Sequence, residues 1–261
     1  MSNLIKNYGY IGPTTPNQRY FETEGQIMNG FPVGILQLYN RMPFFPGNIS
    51  NAYTYNYPVK YIQVEGADIE NILRGDMNNL EPIIKAAKQL QTDGCRVISA
   101  SCGFFGHYQA AVADALEVPV YLSALVQAPW ALVAMNRNKK LGVVTANATK
   151  LSDSMCNACG ITTEMQSRIV LAGVQNREEF SHALTGQGGI DYDKFGRDIC
   201  DTVRELLRDN PDIGALLLEC ADMPTYAHLI QAEHNLPVYD AITMIDFAKS
   251  VVTQTPYYGF L

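Results

Sequence analysis

Two stretches of this chain carry the same residues at the same spacing, and each begins with a cysteine. Cys102, Tyr108, Pro119, Val120 and Tyr121 recur as Cys220, Tyr226, Pro237, Val238 and Tyr239. Each cysteine closes an apolar run, Arg96-Val-Ile-Ser-Ala-Ser-Cys102 and Gly214-Ala-Leu-Leu-Leu-Glu-Cys220. Each is followed by a helix-like segment that stops before Pro-Val-Tyr. The period is too long for a solenoid repeat and describes a duplicated half-domain, with a thiol at the end of a buried strand. A lone buried cysteine is ordinarily a small hydrophobe. Two at the same structural point of related units are placed for acid–base work, one taking a proton from one face of a carbon and the other returning it to the opposite face.

At 261 residues the chain can bury two proper cores, and its 47% apolar and 17% charged residues are those of a globular protein. The net charge of -7 comes without a basic stripe, so nucleic acid is not an expected partner. No run approaches the roughly eighteen consecutive apolar residues of a membrane span. Six cysteines are too few for a disulfide framework, and the N-terminus lacks a signal-like apolar core. Free thiols in a reducing cytoplasm are therefore expected.

Strand-like and helix-like segments alternate along the chain. Phe31–Leu38, Val59–Val64, Arg96–Ser101, Val118–Ser123, Lys140–Thr145, Ser167–Val174, Ile213–Leu218 and Pro237–Tyr239 read as strands. Between them the spacing predicts helices over 79–90, 108–116, 128–136, 193–209 and 226–234, with a closing helix over 244–253. Asn40–Asn56 and Gln175–Tyr192 read as loops, the latter around a mobile Gly186-Gln-Gly-Gly189. This order predicts an α/β fold of two pseudo-symmetric lobes, each a mostly parallel sheet flanked by helices. Residues 1–31 are read as an irregular extension. Residues 32–125 with 241–261 form the lobe carrying Cys102, and 126–240 the lobe carrying Cys220. Ligands of such sheets sit beyond the carboxyl ends of the strands, so the site is expected in the cleft between the lobes.

Cys102 and Cys220 are the expected catalytic pair. A helix N-terminus after each should lower the thiol pKa, and the N–H groups at Gly103–Gly106 and Ala221–Thr225 could hold carboxylate oxygens. Glu219 and Asp222 flank the second cysteine and would raise its pKa. One of them could relay protons, while a salt-bridged or solvent-facing Glu219 is the plain alternative. Thr145, Asn147 and Thr149 read both as capping residues and as carboxylate contacts. Arg41 is a candidate anion anchor or an ordinary surface arginine. Cys156-Asn-Ala-Cys159 has metal or redox spacing but lacks a second pair, so helix packing is the expectation. His107, His182, His228 and His234 show no metal spacing. No lysine is placed for pyridoxal chemistry and no Gly-rich phosphate loop follows a strand, so no cofactor and no metal are expected.

The chain resembles the aspartate/glutamate racemase superfamily from about Pro32 to Phe247. The resemblance is carried by Ser101-Cys102-Gly103-Phe104, Gly142-Val-Val-Thr-Ala-Asn-Ala-Thr149, Glu219-Cys220-Ala221-Asp222-Met-Pro224 and Pro237-Val-Tyr-Asp240. Phe45-Pro-Gly-Asn-Ile-Ser-Asn51 and Tyr57-Pro-Val-Lys-Tyr61 resemble a branch of that group. The resemblance implies two lobes with the site between them, paired catalytic cysteines at 102 and 220, no cofactor, and a homodimer. Ser101, Gly103, Phe104, Ala221 and Asp222 then become substrate contacts. Gly103-Phe104 stand where the amino-acid racemases carry Asn-Thr, and Ala221-Asp222 where they carry Thr-His or Thr-Glu. The resulting expectation is a cofactor-independent racemase or epimerase acting beside a carboxylate, on a small-molecule substrate of which aspartate or glutamate is the first choice. A maleate-type cis-trans isomerase, a hydantoin racemase, a decarboxylase of the same fold and a non-catalytic two-lobed binding protein are the alternatives.

Overall fold

The computed structural model describes residues 27–185 and 189–261. Most of the 1–31 extension and all but the last residue of the Gly-rich segment at 186–189 therefore lie outside the described residues. Two four-stranded parallel sheets make up the core. The first contains β1 (Val33–Tyr39), β2 (Val59–Asp68), β3 (Val97–Ala100) and β4 (Val120–Tyr121), in the order β2-β1-β3-β4. The second contains β5 (Lys140–Thr145), β6 (Ile169–Gly173), β7 (Ile213–Leu218) and β8 (Val238–Tyr239), in the order β6-β5-β7-β8. The two sheets thus share one topology.

The central strands are continuous apolar runs because helices cover them on both sides. All four residues of β3 are buried, and five of six in β7. The helices are α1 (Ile69–Arg74), α2 (Leu80–Thr92), α3 (Gln109–Ala115), α4 (Ala128–Ala134), α5 (Asp153–Ala158), α6 (Thr163–Gln166), α7 (Glu178–Thr185), α8 (Tyr192–Asp209), α9 (Pro224–His234) and α10 (Ala241–Val252). In α8 the buried Phe195, Ile199, Cys200, Val203 and Leu206 recur at helical spacing, and Asp191 caps its start by accepting from the Asp193 and Lys194 N–H groups. Asp240 and Thr243 form a reciprocal capping box at the start of α10, which packs against β3 and β4.

Two expectations need correction. The stretch 175–192 contains α7, whose Phe180 is buried and stacks on Phe195 of α8 with ring centroids 4.8 Å apart. The Gly-rich punctuation after it obscured this short amphipathic turn. The segment after Cys102 begins as a 3-10 helix, Gly103–Tyr108, and becomes α-helical only at Gln109. Among the described residues no helix is long and apolar enough to cross a membrane.

Candidate active site

The register of the two sheets brings the cysteines to equivalent points. Ile98 pairs with Val120 and Ser99 with Tyr121, as Leu216 pairs with Val238 and Leu217 with Tyr239. One more backbone bond extends each ladder, from Ser101 N–H to Leu36 O (2.9 Å) and from Glu219 N–H to Val144 O (2.8 Å). The chain then leaves the sheet, and the next residue on each side is the cysteine. Each sulfur receives the backbone N–H of the residue two places on, Phe104 for Cys102 and Asp222 for Cys220.

Both thiols line one cleft of about 500 Å³, open at its mouth. Ser101, Gly103, Phe104, Glu219, Ala221 and Asp222 share its walls, as do Gln37, Leu38, Asn40, Phe44, Ser50, Ile69, Leu73 and Ala146. The described lining residues include no Lys, Arg or His.

A loop from the first half crosses to the second. Gly47 takes a φ of 101° and lies so close to Thr225 that a Cβ would fall 2.6 Å from its Cα. Phe45 meets Tyr192 edge-on with centroids 5.0 Å apart. The Asn48 side-chain amide donates to Asp222 Oδ1, while Asn48 Oδ1 accepts the Ser50 N–H at 2.7 Å. The Cys220 thiol in turn donates to Asp222 Oδ2 at 3.5 Å. Ser50 Oγ donates to Gln37 Oε1 at 3.0 Å, which leaves the N–H side of that amide to donate elsewhere.

Glu219 is not solvent-facing. It is 0% exposed, and its Oε2 accepts from Thr145 Oγ1 at 2.7 Å. Its Oε1 is buried without a hydrogen-bond partner among the described residues. The carboxylate presses on Gly103 of the opposite half, where a Cβ would lie 2.1 Å from Oε1. Glu219 therefore adjoins Cys220 along the chain and, through space, Gly103, the residue that follows Cys102.

The expectation of lowered thiol pKa values is overturned. Burial raises Cys102, with Glu219 and then Asp222 adding to it. Burial also raises Cys220 well above the ordinary thiol value, with Asp222 and then Glu219 adding to it. Only a short 3-10 helix follows Cys102, and α9 starts four residues beyond Cys220, at Pro224. Desolvation and like charge outweigh the single N–H that each sulfur receives. The same burial pushes Glu219 up to about 7 and Asp222 up to about 6.

The structure brings together Cys102, Cys220, Ser101, Gly103, Phe104, Ala221 and Asp222. It leaves the other four expected contacts outside the lining. Arg41 is exposed, with its guanidinium 5.4 Å from the Tyr39 ring centre. Thr145 stands behind Glu219 as its hydrogen-bond donor. Asn147 caps a short turn by accepting the Thr149 N–H at 3.0 Å, and exposed Thr149 donates its hydroxyl back to Asn147 at 2.7 Å. Cys156 and Cys159 are buried packing residues, the latter donating to Gly106 O at 3.8 Å. Gln37, Phe44 and Asn48 were missed. The loop Phe45–Asn51 stood out as a motif, but nothing in one dimension ties Asn48 to Asp222.

No protein-family profile matches the chain. Among characterised proteins it is similar to a dimethylsulfoniopropionate lyase of Durusdinium sp. clade D, 29% identical over 233 residues, covering 87% of this chain and 77% of the relative. It is 28% identical over 236 residues to dimethylsulfoniopropionate lyase 7 of Emiliania huxleyi (strain CCMP1516), covering 87% of this chain and 69% of the relative. Among solved structures, allantoin racemase from Klebsiella pneumoniae superposes with a TM-score of 0.58 at 15% identity, over 88% of this chain and 96% of that one. Unliganded arylmalonate decarboxylase superposes with a TM-score of 0.51 at 14% identity, over 87% of this chain and 94% of that one. The fold is thus that of the aspartate/glutamate racemases and their decarboxylase neighbours, and the sequence relatives are enzymes named as lyases.

Proposed function

We propose that the cleft removes a proton beside a carboxylate and eliminates a cationic group from the neighbouring carbon, with dimethylsulfoniopropionate as the substrate. The observation that carries this reading is the chemical asymmetry of the cleft. The second half contributes two carboxyl groups, Glu219 and Asp222, and the described lining offers no basic side chain to balance them. Aspartate or glutamate would bring a net negative charge into that field. A sulfonium carboxylate brings a cation to face Asp222, and that cation favours forming a thiolate nearby. The lyase names of the sequence relatives support the same choice.

Cys102 is assigned as the base. Both sulfurs receive a backbone N–H, but the Cys220 thiol is engaged in donating to Asp222. The Cys102 thiolate takes the proton from the carbon beside the carboxylate. The C–H electron pair becomes the new C=C bond, and the C–S pair leaves with sulfur as dimethyl sulfide, giving acrylate. The amide N–H of Gln37 and the hydroxyl of Ser101, whose oxygen accepts the Leu38 N–H, are the donors of the first half available to the substrate carboxylate.

The paired thiols at equivalent register positions favour a second reading, two-base racemisation. Incubation in D2O with dimethylsulfoniopropionate, aspartate and glutamate separates the two. Acrylate and volatile dimethyl sulfide, lost on Cys102→Ala, are the expected result. Solvent deuterium at the α-carbon of an amino acid, with no acrylate, would replace elimination by racemisation.

A further inference from the structure

We propose that Glu219 is the proton exchanger of the site: it takes the proton of the Cys102 thiol to create the thiolate and later releases that proton to water. This rests on the elimination reading, which creates a need that racemisation lacks. A racemase redistributes one proton between two thiols. Elimination from a zwitterion to acrylate and a neutral sulfide liberates a proton in every turnover, and the cleft must export it.

Glu219 has the placement for this. It is fully buried among the residues that line the cleft, and its Oε1 has no partner among the described residues while Oε2 is anchored by Thr145. The missing side chain at Gly103 leaves room for that oxygen beside the residue that follows Cys102, close enough for the Glu219 charge to raise the Cys102 thiol. Desolvation holds the carboxyl near 7, so it can exchange a proton around neutrality. The ionisable groups facing it are Asp222, Cys102, Cys220 and Cys159. Asp222 is engaged by Asn48 and by the Cys220 thiol, which leaves Glu219 as the carboxylate with an uncommitted oxygen.

The steps balance. As the cationic substrate enters, the Cys102 S–H bond breaks and the Glu219 O–H bond forms. The thiolate then takes the substrate proton, which restores the thiol as the C–S bond breaks. Glu219 finally loses its proton to solvent and is again a carboxylate. Glu219 acts through the thiol and is a positioning residue, not a group that touches the reacting carbon.

The test joins a substrate-free measurement to a kinetic one. The rate of Cys102 alkylation by iodoacetamide is followed against pH by peptide mass spectrometry, in the wild type, Glu219→Gln and Thr145→Val. Dimethyl sulfide release is followed over the same range. The expected result is an inflection near neutrality in both profiles of the wild type. Glu219→Gln should abolish it, slow alkylation about tenfold and lower kcat about a hundredfold with KM within about threefold. Thr145→Val removes the hydrogen bond that favours the carboxylate, so it should move the inflection to higher pH, a shift that a purely structural role would not produce. Alkylation profiles that are identical in wild type and Glu219→Gln would overturn the exchanger whatever the substrate. A Glu219-dependent alkylation profile without any dimethyl sulfide would keep the exchanger and sink the elimination reading.

Discussion

The two halves of the molecule share a backbone and differ in chemistry. Ser101 and Glu219 occupy equivalent positions, each donating its N–H to the central strand of its sheet. Phe104 and Asp222 are likewise equivalent, each supplying the N–H that reaches a sulfur. In the first half these places hold a hydroxyl and a phenyl ring, and in the second two carboxyl groups. Duplication thus preserved where the thiols stand while the surrounding side chains made one wall neutral and the other acidic. A site meant to run equally in both directions gains from matched thiols, because each must serve as acid and as base. A polarised site suits a reaction with one direction, and that is the physical content of preferring elimination.

The most demanding check on this contrast is removal of each thiol. Cys102→Ala should lower turnover by about a thousandfold or more and Cys220→Ala by about a hundredfold, measured as dimethyl sulfide release. Equal losses would make the halves functionally symmetric and revive the two-base mechanism. Stability against pH sharpens the acidic half. The Glu219 carboxyl is raised in the folded state from 4.5 to about 7, so the native protein retains a proton that the unfolded chain loses within that window. This contribution costs nothing below the unfolded value and destabilises as pH rises through the window, by on the order of 3 kcal/mol. Urea unfolding at intervals between about pH 5 and pH 8 should therefore show Glu219→Gln gaining on the wild type as pH rises.

A matched pair of backbone positions separates the halves more gently. Gly103→Ala would force a Cβ to 2.1 Å from Glu219 Oε1 and should cost about 2 kcal/mol. The equivalent Ala221→Gly leaves only a small gap, and thermal melting should place its cost near 1 kcal/mol. Asp222→Asn should raise KM for the sulfonium substrate about tenfold, because one charge facing the cation is lost. The smallest effects belong to the shared frame. The buried Tyr108 hydroxyl donates to Asp76 O at 2.8 Å and the buried Tyr226 hydroxyl to Tyr192 O at 2.9 Å. Tyr108→Phe and Tyr226→Phe should each cost about 1 kcal/mol in a melt. A large inequality between them would show that the duplicated anchors no longer carry equal weight.

The sequence repeat covers only part of the structural one. Residues 102–121 match 220–239 at a constant offset, but the central strands β1 and β5 match at a different one, with Leu36 beside Ala100 and Val144 beside Leu218. By that register Gln37 is the counterpart of Thr145. Connections of unequal length separate each central strand from its cysteine strand, so no single offset finds both. The loop 40–56 was legible as a loop, but its path was not, because it takes its shape from contacts with Thr225, Tyr192 and Asp222, far away in sequence.

By itself the amino-acid order determined the α/β class, the parallel strands and the placing of two thiols at strand ends, because hydrophobic periodicity and an internal repeat are one-dimensional signals. Only the tertiary structure decided the electrostatics of the cleft. Whether a cysteine is lowered by a helix or raised by burial depends on what surrounds it, and here Glu219 and Asp222, the latter held by Asn48, raise both. A carboxylate one residue from Cys220 in the chain came to raise the Cys102 thiol because it packs on Gly103 of the other half, where a larger residue would not fit.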